Sequence, residues 1–199
     1  MEQVVYRILL LTLLFIALPV MVAVASLVAL IDGPHVLFRQ RRVGLGGRPF
    51  IMLKFRTMKP GSEREKRYYA RRNEARGPVF KMYDDPRFTR LGRFLSHTGL
   101  DELPQIVNVI RGQMAIFGPR PLPVAEANKL KPWMRERHTI KPGIISPWIF
   151  EGYHRTPFDA WMKSDIAYAK QKSLWYDLGL LGKAVLLVGK LLQREVIGS

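Results

Sequence analysis

Thr98-Gly99-Leu100-Asp101-Glu102-Leu103-Pro104-Gln105 sets two adjacent carboxylates at the start of an amphipathic helix, in a chain whose charge is otherwise strongly basic. Leu100, Leu103, Val107 and Ile110 recur at i, i+3, i+7 and i+10, which predicts one apolar helix face. Thr98 with Asp101 fits a capping box, in which the hydroxyl and the carboxylate each take an otherwise unpaired backbone N–H. Pro104 falls just past the first turn of that helix, or else marks a later start. On either reading Asp101 and Glu102 lie near the positive end of the helix dipole, which favours their ionised forms. Successive helical residues diverge by about 100°. The two carboxylates can therefore serve one small site without facing each other. Taken alone, the pair reads as a cap and a solvated acid.

The surroundings change that reading. Gly112, Gly118, Pro119 and Pro121 crowd a turn, and the two prolines limit the backbone freedom of Arg120 between them. A rigid turn presenting one guanidinium suits a phosphate, which Arg grips bidentately. A carboxylate nucleophile beside a phosphate clamp is a site for phosphoryl chemistry. Upstream, Val36–Phe38 and Phe50–Phe55 read as short strands around Gly44-Leu45-Gly46-Gly47, a hairpin. Glu63 to Arg76 is a highly charged helical stretch, a solvent face with some attraction to anionic lipid headgroups. Asp84-Asp85-Pro86-Arg87 is a turn. Arg87, Arg90 and Arg93 follow at i+3 spacing and line one side of a basic pocket.

Ile8 to Ile31 is 24 residues without a charge, about 36 Å as a helix and long enough for a bilayer. Three readings compete. Ala23-Val24-Ala25 resembles the cleavage site of a secretory signal, but only Arg7 precedes the apolar run, which continues through Ser26–Ile31. A plain spanning helix is the second. The third starts from charge: Arg7 lies before the segment and Arg39, Arg41 and Arg42 after it, so both ends favour the cytoplasm. Pro19, in mid-segment, removes a hydrogen bond and kinks a helix. A helix that breaks there and returns to the same face satisfies both observations. Near the other end, Ser173 to Leu192 carries Lys183 and Lys190 on one face beside Leu180, Leu181, Val185, Leu187, Val188 and Leu191. Those lysines and Asp177 argue for a helix lying at the interface.

The whole chain of 199 residues predicts one core. A net charge of +16 asks for an anionic partner: nucleic acid, acidic lipid or a phosphorylated substrate. The charge is concentrated, since residues 39–95 hold 17 Lys/Arg against 5 Asp/Glu, a net of +12. Without cysteine there is no disulfide framework. No pair among His35, His97, His138 and His154 has metal-ligand spacing, which speaks against a His-based metal site. Two function classes remain. One is an enzyme of phosphoryl chemistry; the other is a non-enzymatic membrane-anchored basic module binding nucleic acid or acidic lipid. The basic stretch supports the second, but its aromatics are not interleaved as in an RNA-binding sheet, and it leaves Asp101-Glu102 unexplained. No nucleic-acid partner is expected.

The Thr98–Gln105 stretch, with Asn108-Val109-Ile110-Arg111-Gly112-Gln113-Met114 and Gly118-Pro119-Arg120-Pro121-Leu122, resembles the signature of the bacterial sugar transferases. These are monotopic phosphoglycosyl transferases that start polysaccharide and glycoprotein-glycan assembly. The resemblance extends to Phe38–Gly44, Lys54-Phe55-Arg56-Thr57-Met58 and Asp85–Gly92, and covers roughly residues 6 to 190. It implies an α+β fold, mostly helical with a small β-hairpin. Residues 1–34 would form a re-entrant membrane helix and residues 35–199 a cytosolic, membrane-associated catalytic domain with interfacial amphipathic helices, on the cytoplasmic face of the bacterial inner membrane. It also implies transfer of a sugar phosphate from a UDP-sugar to undecaprenyl phosphate, with UMP released and Mg²⁺ required.

In that scheme Asp101 is the nucleophile, forms an aspartyl phosphosugar and helps hold Mg²⁺. Glu102 handles the proton on the incoming polyprenyl phosphate, or orients it. Arg120, flanked by Pro119 and Pro121, clamps the nucleotide phosphate; Lys54, Arg56, Arg87 and Arg93 are further candidate phosphate contacts. Three departures from the family pattern stand out. Leu18 precedes Pro19 where Ser is usual. Ser96 stands where Arg is frequent, so a phosphate contact is lost or supplied by Arg93 or His97. After Lys141-Pro142-Gly143, the usual Gly-Trp segment is replaced by Ser146-Pro147-Trp148-Ile149-Phe150-Glu151-Gly152, which leaves the donor sugar open. Trp148, Phe150 and Tyr153 there either touch the sugar or nucleotide, or serve as core or interface residues. The sequence leaves oligomeric state open.

Overall fold

The computed structural model describes residues 2–75, 77–150 and 157–197. Its first element, α1 (Glu2–Ile31), is one helix with Pro19 inside it. The expected break at Pro19 is absent as a break in helical geometry. Proline removes a single N–H from the ladder, and the neighbouring turns hold both sides helical. By length and composition α1 is long and apolar enough to cross a membrane. Little of it is covered: Ala17, Val24 and Val28 are buried, whereas Phe15 and Leu30 are each 83% exposed. Its two halves dock at different places on one body. Tyr6, Leu9, Leu10 and Leu13 pack with Phe117, Tyr168 and Leu180. Val24 and Val28 pack with Phe55 and Leu95.

The fold is α+β and mostly helical. Strands β1 (Leu37–Val43) and β2 (Pro49–Phe55) pair antiparallel, the expected hairpin, with Lys54 opposite Phe38. Gly46 and Gly47 turn the chain at φ 61 and 77, conformations that favour glycine. Helix α2 (Arg90–Thr98) starts at Thr89, whose Oγ1 accepts the Gly92 N–H at 2.8 Å. It ends at left-handed Gly99. Then follow α3 (Gln105–Ile110), β3 (Ala115–Phe117), α4 (Val124–Ala127), β4 (Gly143–Ile145), α5 (Phe158–Gln171) and α6 (Leu174–Ile197). β3 and β4 pair in parallel, Ala115 opposite Gly143. Beneath the turn that joins β3 to α4 lies an apolar cluster built on Leu122, Met134, Trp148, Trp161 and Met162.

Several expectations are corrected. Thr98 closes α2 instead of opening the next helix; its Oγ1 donates to the Phe94 carbonyl at 2.8 Å, so the capping box with Asp101 does not form. Helix α3 takes the later start behind Pro104. Its buried face is Gln105, Ile106 and Asn108, not the expected stripe, and Ile110 is 55% exposed. The delayed start rotates which residues face inward. The charged stretch from Glu63 forms short 3₁₀ segments, Ser62–Arg67 and Ala70–Arg72, instead of a helix; Arg76 lies outside the described residues.

Asp177 faces the interior instead of an interface. It is fully buried and accepts hydrogen bonds from the Tyr6 hydroxyl at 2.6 Å and from Tyr168. Two phenols and Lys172, 3.9 Å away, satisfy a carboxylate that burial alone would penalise. Lys183 and Lys190 are exposed, as are Trp175, Val185 and Leu186 of the same helix. Glu151, Gly152, Tyr153 and His154 lie outside the described residues.

Candidate active site

The two carboxylates stand on a single 3₁₀ turn, Leu100–Glu102, wedged between the end of α2 and the start of α3. Leu100 and Leu103 anchor that turn in the cluster shared by β2, α2 and α1. With both leucines turned inward, the intervening Asp101 and Glu102 are carried to the edge of the hairpin. Asp101 is buried, 5% exposed. Lys54, near the end of β2, meets both: its Nζ lies 3.0 Å from Asp101 Oδ2 and 2.8 Å from Glu102 Oε1. Arg120 Nη2 donates to the same Glu102 oxygen at 2.8 Å.

The register that puts Lys54 beside Asp101 is held by Asn108, fully buried on α3. Its Oδ1 accepts the Leu53 N–H at 3.0 Å and its Nδ2 donates to the Ile51 carbonyl at 2.7 Å. These bonds saturate a stretch of strand edge and lock α3 to it. Asn108 had no assigned role in the sequence. An amide inside an otherwise apolar helical run was the available signal.

Arg120 sits on a turn fixed from several directions. Gly118 and Gly143 let two backbones touch: a Cβ at Gly118 would lie 2.4 Å from the Lys141 carbonyl oxygen, and one at Gly143 would lie 2.1 Å from the Gly118 nitrogen. The Arg120 carbonyl accepts from Arg137 Nη2 at 2.6 Å, and the Pro121 carbonyl from Arg42 Nη1 at 2.7 Å. Arg42 and Arg137 are contributors that sequence reasoning missed. Pro119 and Pro121 flank the arginine as expected, and both are buried.

The other predicted phosphate contacts each have a protein partner. Arg56 donates to the carbonyls of Asp32 and Gly33 and so fastens the end of α1. Arg87, 5% exposed, is committed to Asp85, with Nε to Oδ1 at 2.9 Å and Nη2 to Oδ2 at 2.6 Å. Arg93 pairs at 3.5 Å with the exposed Asp84. His97 stacks on Tyr83 and lies 3.2 Å from Glu195 of α6. None of the four hydrogen-bonds to Asp101 or Glu102 among the described residues. Trp148 is core, stacked on Trp161 at 4.2 Å.

Electrostatics separates the two acids. Burial, aided by the neighbouring Glu102 charge, holds the Asp101 pKa above the ordinary carboxylate range despite Lys54. Burial would also raise Glu102, but Arg120 and Lys54 together outweigh it and drive that pKa well below the ordinary range. Asp101 is thus the more basic carboxylate and Glu102 the firmly ionised one. Burial and the adjacent Arg120 charge push Arg42 down to about 10, still cationic at neutral pH.

Among the described residues no three His, Cys, Asp or Glu groups converge as a metal cage. Mg²⁺ does not need one, since it commonly binds through one or two carboxylates, water and substrate phosphates. Asp101 Oδ1 and Glu102 Oε2 accept no hydrogen bond among the described residues, so this acid pair fits that mode.

The profile of a family described as "Bacterial sugar transferase" matches residues 1–190. The "Galactosyl transferase CpsE" of Streptococcus agalactiae is 40% identical over 161 residues, 79% of this chain and 36% of that protein. A "UDP-glucose:undecaprenyl-phosphate glucose-1-phosphate transferase" of Xanthomonas campestris is 39% identical over 174 residues, 82% of this chain and 33% of its own. "Exopolysaccharide production protein ExoY" of Sinorhizobium fredii is 33% identical over 171 residues, covering 84% of this chain and 76% of that protein. The chain thus spans about a third of the length of the first two relatives and most of the third. With the profile covering nearly all of it, the chain belongs to the bacterial sugar transferase family.

Proposed function

We propose that this chain moves a sugar phosphate from a UDP-sugar to undecaprenyl phosphate, at the cytoplasmic face of a bacterial membrane, with release of UMP. The observation that carries the reading is the part-buried Asp101–Lys54–Glu102–Arg120 cluster. Relatives named as UDP-glucose:undecaprenyl-phosphate glucose-1-phosphate transferases agree with it. A basic module that only binds lipid or nucleic acid gives that cluster no use.

Asp101 is the nucleophile. One of its oxygens attacks the phosphorus that carries the sugar, and the bond from that phosphorus to the bridging oxygen breaks. That oxygen keeps the electron pair and leaves as part of UMP. The aspartyl phosphosugar is then attacked by a phosphate oxygen of the lipid, which restores the carboxylate and forms the lipid diphosphosugar. The more basic of two carboxylates is the better nucleophile, which favours Asp101 over Glu102. Glu102, ionised and shared by Lys54 and Arg120, is poorly suited to hold a proton; it orients the two cations that face the phosphates. Those cations offset repulsion between anionic nucleophile and anionic donor. Asp101, with Glu102 beside it, would hold Mg²⁺ together with donor phosphate oxygens, and the cation would further neutralise the departing phosphate charge.

Re-entry of α1 belongs to the same reading. Tyr6 near one end bonds to Asp177, and Arg56 and Thr89 bond to Asp32 and Gly33 at the other. These contacts favour both ends on the catalytic side.

The test uses purified protein and radiolabelled UDP-sugars without lipid. Label should remain on denatured wild type and be absent from Asp101→Asn, whose turnover falls to background. Full turnover in excess chelator would remove Mg²⁺ from the scheme. Label retained equally by Asp101→Asn, or absent from wild type that turns over well, would overturn the covalent route.

A further inference from the structure

We infer that Arg137 positions Arg120 for the donor phosphates through a main-chain contact, an inference that rests on the phosphoglycosyl-transfer reading above. Arg137 lies in the 3₁₀ segment Pro132–Thr139 and is 1% exposed. Its Nε and Nη2 both donate to Asp165 Oδ2, at 3.0 and 2.6 Å. Asp165 is itself fully buried on α5 and takes the Ser146 hydroxyl at 3.3 Å on its other oxygen. A buried ion pair alone says little, because apolar residues of similar volume often replace one without loss of stability. The third bond is different. Arg137 Nη2 also donates to the carbonyl of Arg120, at 2.6 Å, the residue whose side chain reaches Glu102.

That bond acts where the turn still has freedom. Pro119 and Pro121 fix their own φ angles, which leaves the peptide planes on either side of Arg120 to be set by contacts. Arg137 holds the plane that carries the Arg120 carbonyl. Arg42, from β1, holds the next one through Pro121. Two guanidiniums on separate elements thus grip consecutive carbonyls and fix the direction in which the Arg120 side chain leaves the backbone. Asp165 keeps the Arg137 fork in plane for this. Arg137 touches no reacting atom in this arrangement; it is a positioning residue.

Two variants separate position from stability. Arg137→Lys keeps a cation for Asp165 but lacks the planar fork that reaches both acceptors. Arg137→Met with Asp165→Leu removes the pair together, the exchange that buried pairs tolerate. The first readout needs no turnover: the rate at which phenylglyoxal modifies Arg120, mapped by peptide mass. The second is KM for UDP-sugar against KM for undecaprenyl phosphate, beside the melting temperature. Both variants should speed Arg120 modification several-fold and raise donor KM about tenfold, the scale of a small misplacement, with acceptor KM unchanged. Unchanged Arg120 reactivity in both variants overturns the inference. So does loss of folding in both, which would make the pair a structural strut. A wild type that turns over no UDP-sugar defeats the phosphoglycosyl reading instead, while Arg120 reactivity still decides the positioning role.

Discussion

Lys54 serves two acids with one ammonium, and Glu102 divides one oxygen between Lys54 and Arg120. Such sharing leaves the site dependent on its neighbours, and His138 is one that can be tested by pH. Burial, with the charges of Arg137 and Arg135, pushes its pKa down to about 4. An unfolded histidine titrates near 6.5. A depressed folded pKa means the stabilisation is complete above about 6.5 and is lost as pH falls toward 4. The wild-type melting temperature should drop across that window, and His138→Gln should flatten the drop. An equally steep decline in the variant would assign it to other groups. At this scale, the pair Asp101-Glu102 and the proline-flanked Arg120 were legible because each is local in sequence. Arg137 was not, since its partner Asp165 lies 28 residues away and only the tertiary fold joins them. For Arg87 the pairing partner was itself local: Asp85, two residues earlier in the same turn, takes its guanidinium through two hydrogen bonds.

Elements carry these residues only if they pack at close quarters, and α2 shows how close. A Cβ at Gly92 would lie 1.9 Å from the Thr57 carbonyl oxygen, a contact that only backbone movement relieves. Gly92→Ala should therefore destabilise by about 3 kcal/mol, the upper range for overpacking, or prevent folding. Chemical denaturation of the purified domain measures this, and a loss under 1 kcal/mol would mean α2 shifts freely. Such a shift would also loosen the Leu100–Glu102 turn at the end of α2. The hairpin was legible from its glycines, but its first strand, read as Val36–Phe38, runs from Leu37 to Val43. The start of α3 was only half legible. Thr98 has the chemistry of a cap, yet Gly99 in the left-handed conformation is the stronger stop signal. Placing the stop there turns the Thr98 hydroxyl back on its own helix and delays α3 to Gln105.

At the scale of the molecule, the open question is how α1 sits against a membrane, and its two ends constrain the answer. Tyr6 reaches Asp177, where α5 and α6 meet, and the Asp32 end is held by Arg56 and Thr89. Between them Phe15 and Leu18 project from the protein. A straight spanning helix would carry one end to the far side and give up one set of contacts. Arg7 on one flank and Arg39, Arg41 and Arg42 on the other oppose that as well. The charge symmetry was readable in the sequence; the Tyr6–Asp177 bond was not, because it joins residues 171 apart. The chain has no cysteine, so single replacements report cleanly. Gln3→Cys and His35→Cys, made separately, should both resist a membrane-impermeant thiol reagent in intact cells and both react after lysis. Pro19→Ala restores the missing N–H and so favours a helix that spans, which should expose one of the two sites in part of the population. Adding Tyr6→Phe, which deletes a bond worth about 1 kcal/mol, should enlarge that fraction. Labelling of only one site in the unaltered background would mean that α1 spans, and that one set of end contacts is absent in the membrane.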